Sequence, residues 1–163
     1  IRGGTGGDTL SGGGGADTYV FNATGALNGN DTITFVVGAD KFDFSNMGTF
    51  TFLATKVAYD ATADIVITNK IVMLADDDGA ASTNSITEIA ADINGAATAM
   101  ELQSGGKAIV IAGYDGDAND SALIYLVDDG LGAVAGTISA DDVVLIGTLA
   151  TFDVDTFTGY NFV

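Results

Sequence analysis

Hydrophobic and polar residues alternate over short distances along most of this chain. Lys41-Phe42-Asp43-Phe44-Ser45 has period two, and Thr18 to Asn22 and Asp31 to Val37 are rich in β-branched and aromatic residues. Further short strands are expected at Phe50 to Leu53, Lys56 to Tyr59, Asp64 to Thr68 and Ile71 to Leu74. In the last third, Lys107 to Ala112, Ala122 to Val127 and Val143 to Ile146 are continuous apolar runs of strand length, and Phe157 to Val163 reads as a closing strand. One segment departs from this rhythm. Ile86, Ile89, Ala90, Ile93, Ala97 and Met100 recur at helical spacing behind Ser85-Ile86-Thr87-Glu88, which has the form of a capping box. The spacing predicts one helix over about 85–102, weakened by Gly95, stopped by Gly105 and laid over a sheet face.

The first residues follow another rule. Eight of the first 15 are glycine, and they fall into two consecutive nonapeptides, Gly3-Gly4-Thr5-Gly6-Gly7-Asp8-Thr9-Leu10-Ser11 and Gly12-Gly13-Gly14-Gly15-Ala16-Asp17-Thr18-Tyr19-Val20. Aspartate holds the sixth place and a large apolar residue the eighth in both. A flexible linker has no reason to keep that register. A phosphate-binding loop would need a terminal Lys-Ser/Thr and a preceding strand. The period fits a parallel β-roll that binds calcium. Gly4, Gly6, Gly13 and Gly15 can adopt positive φ and offer carbonyls, Asp8 and Asp17 supply charge, and Leu10 and Tyr19 fill the interior from three-residue strands. Gly29-Asn30-Asp31-Thr32-Ile33 reads as a degraded third turn, pushed out of register by an insertion, which adds Asp31 to the candidate ligands.

Composition sharpens the picture. The 163 residues carry 22 acidic and 5 basic side chains, a net charge of −17, yet 47% of them are hydrophobic. Such a surface repels nucleic acid and anionic membranes, and no apolar run approaches the roughly 18 residues that span a bilayer. Twenty of the acids are Asp, with only Glu88 and Glu101 as exceptions, and Asp suits turns and hard cations. The absence of Cys and His removes thiol nucleophiles, imidazole bases and soft-metal sites. No pair of carboxylates is marked out for hydrolysis, and without Trp a sugar cleft is hard to build. The chain is read as a non-enzyme. Ile1 is not an initiator Met, and the chain is expected to be a piece of a longer protein.

Other acidic turns are weaker candidates. Asp115, Asp117 and Asn119 have the opening spacing of an EF-hand loop, but Asp120 stands where Gly is needed and Leu126 where a bidentate Glu belongs. Asp76-Asp77-Asp78 and Asp128-Asp129 read first as solvated turns, Asp141-Asp142 as a cap or strand flank, and Ser104-Gly105-Gly106-Lys107 lacks the upstream Gly of a phosphate loop.

The two nonapeptides running into Asp17-Thr18-Tyr19-Val20-Phe21-Asn22 resemble the RTX (repeats-in-toxin) family, and Asp31 to Phe35 with Gly38 to Ser45 resembles the segment that ends many such arrays. The match covers residues 3 to 20 closely and extends loosely to 46, with two clear repeats rather than many. Ser85 to Val163 is similar to a C-terminal domain of large secreted bacterial surface proteins, carried by Gly105 to Gly113, Ile124 to Gly130 and Gly136 to Leu149. Asp153-Val154-Asp155-Thr156-Phe157 followed by Asn161-Phe162-Val163 is similar to an uncleaved type I secretion signal.

The resemblance implies a mainly β chain in two parts: a short calcium β-roll with its terminating strands at 1–46, and a β-rich, sandwich-like lobe with one helix at 47–163. It implies calcium held between consecutive turns by glycine-loop carbonyls and Asp carboxylates. Asp8 and Asp17, nine apart, would then face opposite sides of the roll, each needing a partner loop from before Ile1 or after Val20. It also implies an extracellular or cell-surface bacterial protein that passes through the type I secretion apparatus without membrane insertion. The expected partners are other copies of itself or other surface proteins, in an S-layer, filament or adhesive coat. The alternative is a passive monomeric folding and export module of a larger secreted enzyme, toxin or adhesin.

Overall fold

The computed structural model describes residues 1–54, 57–58, 65–75, 85–93, 100–113, 121–130, 138–150 and 159–163. The protein is mainly β, as the patterning predicts, with one α-helix among the described residues. Its strands are β1 (Thr9–Ser11), β2 (Thr18–Val20), β3 (Asp31–Thr34), β4 (Lys41–Asp43), β5 (Thr51–Phe52), β6 (Val57–Ala58), β7 (Ile65–Val66), β8 (Lys70–Ala75), β9 (Met100–Glu101), β10 (Lys107–Gly113), β11 (Ala122–Asp128) and β12 (Val143–Leu149). The helix, α1, is Ile86–Asp92. Among the described residues no helix is long and apolar enough to cross a membrane.

A mixed sheet runs β1-β3-β12-β11-β10-β8-β5, with β6 also paired to β8. Its centre is β10 and β11, buried along nearly their whole length, which explains why both read as unbroken apolar runs. Alternation divides them between two cores. Ile109, Ile111, Ile124 and Leu126 meet Tyr19, Phe21, Phe42 and Phe44 on one face. Ala108, Val110, Tyr125 and Val127 meet Ile89 and Ile93 of α1 and Met100 of β9 on the other. The helix therefore does cover a sheet face.

It is shorter than expected. Met100 and Glu101 lie in β9, paired with β7 through Ile65↔Met100, and Ile93 forms a bridge to the same Met100. Pairing Met100 with Ile65 and Ile93 wins over carrying the helix on to residue 102; Gly95 and Ala97 lie outside the described residues. The closing strand is also corrected: among its described residues, Gly159–Asn161 is a 3₁₀ turn and Phe162 alone forms a bridge, parallel to Phe42.

The first four strands alternate between two sheets. β1 pairs with β3 in the large sheet, and β2 pairs with β4 in a separate one, both parallel. Thr9 lies opposite Thr32 and Tyr19 opposite Phe42, so each strand stacks on a segment 23 residues further on. The legs of this path are unequal. Leu10 to Tyr19 and Ile33 to Phe42 each take nine residues, whereas Tyr19 to Ile33 takes fourteen. The five extra residues are the expected insertion. They hold a 3₁₀ turn, Gly25–Leu27, and the buried Asn28, whose amide bonds the backbone of Asn22 and Thr24. Gly25 lies so close to Val144 of β12 that a Cβ there would sit 2.5 Å from its Cγ1. The insertion thus seats the first strands on the rest of the protein. The large sheet also crosses residue 46/47, because β3 pairs in parallel with β12 through Asp31↔Gly147.

Candidate functional site

The parallel stacking brings two loops against two others. Gly3 to Asp8 lies beside the loop that leads into Asp31, and the backbone N–H of Asp8 donates to Asp31 Oδ1 (3.0 Å). Gly12 to Asp17 lies beside Val36 to Asp40, and Asp17 N–H donates to Asp40 Oδ1 (3.0 Å). The two contacts are the same interaction repeated nine residues on. Of the carboxylates foreseen from sequence, Asp8 and Asp31 are brought together, while Asp17 is placed at the second position. Its companion, Asp40, was not foreseen.

Gly4, Gly6, Gly13 and Gly15 all have positive φ, between 81° and 112°. Nothing lies within 4 Å of where a Cβ would be at any of the four, so their conformation rather than crowding calls for glycine. Gly3 and Gly12 serve differently. A Cβ on Gly3 would overlap the Asp31 carboxylate, and one on Gly12 would overlap that of Asp17. Glycine thus makes room for two acidic groups to lie against the backbone.

The electrostatics are unfavourable as they stand. Asp8 Oδ2 and Asp17 Oδ2 are buried and have no hydrogen-bond partner, a costly condition for ionised oxygens. Burial and then the neighbouring Asp8 charge push the Asp31 carboxyl above the usual range, against the lowering effect of the Asp8 N–H. The Tyr19 hydroxyl accepts from Gly12 N–H (2.9 Å) and donates to the Thr34 carbonyl, so it ties loop to strand. Its own pKa is raised by burial, opposed by the Gly12 bond, and raised again by the charges of Asp40 and Asp17. Two buried, unpartnered carboxylate oxygens among further negative charges are what a bound cation would satisfy. Among the described residues no three carboxylates form a ready-made metal cluster, so a cation would have to draw on backbone carbonyls too. That is the chemistry glycine-rich loops offer to calcium.

Asp115, Asp117 and Asn119 lie outside the described residues, as do Asp76 to Asp78 and the stretch Asp153 to Phe157. The turn around Asp128 and Asp129 is held by protein groups. Lys107 Nζ pairs with Asp128 Oδ2 (2.8 Å), Gly130 N–H donates to Asp128 Oδ1, and Gly105 N–H donates to Asp129 Oδ2 (2.6 Å). The same bond turns the Ser104-Gly105-Gly106-Lys107 loop towards a carboxylate. Asp142 does flank a strand, accepting from the N–H and hydroxyl of Ser139 just before β12. An apolar cavity of about 410 Å³ lies elsewhere, walled by Phe44, Phe50, Phe52, Ile71 and Phe162.

No protein-family model, curated protein or solved structure matches the chain.

Asp40 had a visible signal. Gly15-Ala16-Asp17 recurs as Gly38-Ala39-Asp40, each followed two residues later by an aromatic, Tyr19 or Phe42. Likewise Asp8 and Asp31 are each followed two residues later by Leu10 or Ile33. Both pairs are 23 apart, and Asp40 also lies nine residues beyond Asp31, so the nonapeptide period carried on from the degraded turn reaches it.

Proposed function

We propose that this chain is a non-catalytic, calcium-binding, extracellular structural protein, the C-terminal part of a type I-secreted bacterial surface protein. In this reading the first four strands are two turns of a parallel β-roll, with the connection between the turns lengthened by the five-residue insertion. One calcium lies between the Gly3–Asp8 loop and Asp31, the other between the Gly12–Asp17 loop and the Asp40 loop. The carrying observation is the pair of buried, unpartnered oxygens on Asp8 and Asp17, each beside glycines of positive φ. The net charge of −17 supports it further. Where calcium is scarce the carboxylates repel and keep the chain open, and at millimolar calcium the cation binds the folded form and stabilises it by mass action.

Assembly into a surface layer, filament or coat is the preferred form of this function. It is supported by the exposed apolar side chains of Val36 and Val37. A monomeric folding and export module is the second reading. The shortness of β1 favours it, since Thr9 and Ser11 are exposed polar residues on a three-residue edge that offers little to pair with. Sedimentation velocity during a calcium titration, with magnesium as control, separates the two. Growth of large species with calcium alone is the expected result, and a compact calcium-bound monomer at every protein concentration would leave the export module.

A further inference from the structure

The two loop pairs are not equivalent, and the difference lies at the other end of the chain. Asp40 is buried, and both of its carboxylate oxygens are engaged by backbone: Oδ1 by Asp17 N–H (3.0 Å) and Oδ2 by Val36 N–H (2.8 Å). Asp40 therefore closes its own loop and fixes the backbone of Asp17, whose Oδ2 is the unpartnered one. The Asp40 carbonyl in turn accepts from Nδ2 of Asn161 (3.1 Å), a buried side chain 121 residues away. The next two residues lock the same place. Phe162 bridges to Phe42 and packs its ring against Phe42, Phe44 and Phe52, and Val163 N–H donates to the Phe42 carbonyl (3.0 Å). At the first loop pair, Asp31 opens β3 and is held by the β3–β12 ladder instead.

We propose that Asn161 is a positioning residue for the second cation loop, so that seating of residues 161–163 and binding of the cation beside Asp17 are coupled. The inference rests on the calcium reading above. A buried amide that fixes the Asp40 backbone fixes the carboxylate that holds Asp17, and a ligand whose geometry is set in advance binds more tightly. Coupling of this kind is reciprocal: the cation must hold the tail as strongly as the tail favours the cation.

The test uses the full chain and calcium chloride. Asn161→Ala is placed in an Asp8→Asn background, which leaves the second site, and in an Asp17→Asn background, which leaves the first. Calorimetric titration is expected to show calcium affinity about tenfold weaker in the former and unchanged within about twofold in the latter. Hydrogen exchange at the Val163 amide, with Asn161 intact, gives a second readout should the alanine variant fold poorly. Calcium is expected to slow that exchange in the parent and in Asp8→Asn, but not in Asp17→Asn. Equal weakening in both backgrounds, or exchange at Val163 indifferent to calcium in a chain that binds it, overturns the coupling alone. A parent chain that binds no calcium overturns the function proposed above together with this inference.

Discussion

Replacing Asp31 by Asn is expected to stabilise the calcium-free protein and destabilise the calcium-loaded one. Asparagine keeps an acceptor for the Asp8 N–H but removes a buried charge that lies beside another carboxylate. A carboxyl whose folded pKa is raised contributes most to stability when protonated, below its unfolded value near 4, and that contribution is lost as pH rises through the folded value. The variant, with nothing to ionise at this position, lacks the corresponding fall of stability as pH rises above the unfolded value near 4. With free calcium at a hundredfold excess over Kd, the parent gains about 2.7 kcal/mol per site by mass action, and the variant forfeits much of one such gain. Urea unfolding with chelator and with calcium, at two pH values, measures both signs. The same order of stability in the two conditions would show that Asp31 does not serve a cation.

Gly29→Ala is expected to be the most damaging single-methyl change in the first 46 residues. Gly29 has φ of +68°, and a Cβ there would land on the carbonyl oxygen of Gly6, inside any permissible contact. This is where the two glycine loops press together, so the clash cannot be relieved by rotating a side chain. A loss of about 4 kcal/mol is predicted, at the severe end for a point substitution. Gly105→Ala is the control. Its φ is +71°, but nothing lies within 4 Å of its Cβ position, so only the backbone penalty of about 1 kcal/mol applies. Similar losses at the two positions would mean that the glycine loops are not tightly stacked.

These predictions rest on features of uneven legibility. Lys107 to Ala112 was readable because a strand buried on both faces leaves an unbroken apolar run. Leu10 and Tyr19 were readable because the nine-residue period puts an apolar residue on each three-residue strand. The contact between the Asp8 and Asp31 segments was only half legible: the degraded turn was visible, but the five-residue insertion hid which loop lies beside which. Asp40 went unseen because Val36-Val37-Gly38 has lost the glycine pattern while keeping the geometry, with Asp40 itself closing the loop. At the C-terminus, Phe162 signalled burial but not form, since one bridge to Phe42 and a ring among phenylalanines needs no extended strand. The shortened helix shows the same limit. Apolar residues at helical spacing also served a helix followed by a strand, and the pairing of Met100 with Ile65 decided between them.

The account turns on whether calcium enters the two loop pairs. Isothermal titration of the full chain with calcium chloride, beside an Asp8→Asn/Asp17→Asn double variant and a magnesium control, tests this most directly. Two calcium ions bound by the parent through the described loops, neither retained by the double variant and neither replaced by magnesium at equal concentration, is the predicted result. Undiminished calcium binding by the double variant, or none by the parent, would contradict it and leave Asp8 and Asp17 as turn residues that fold without a cation.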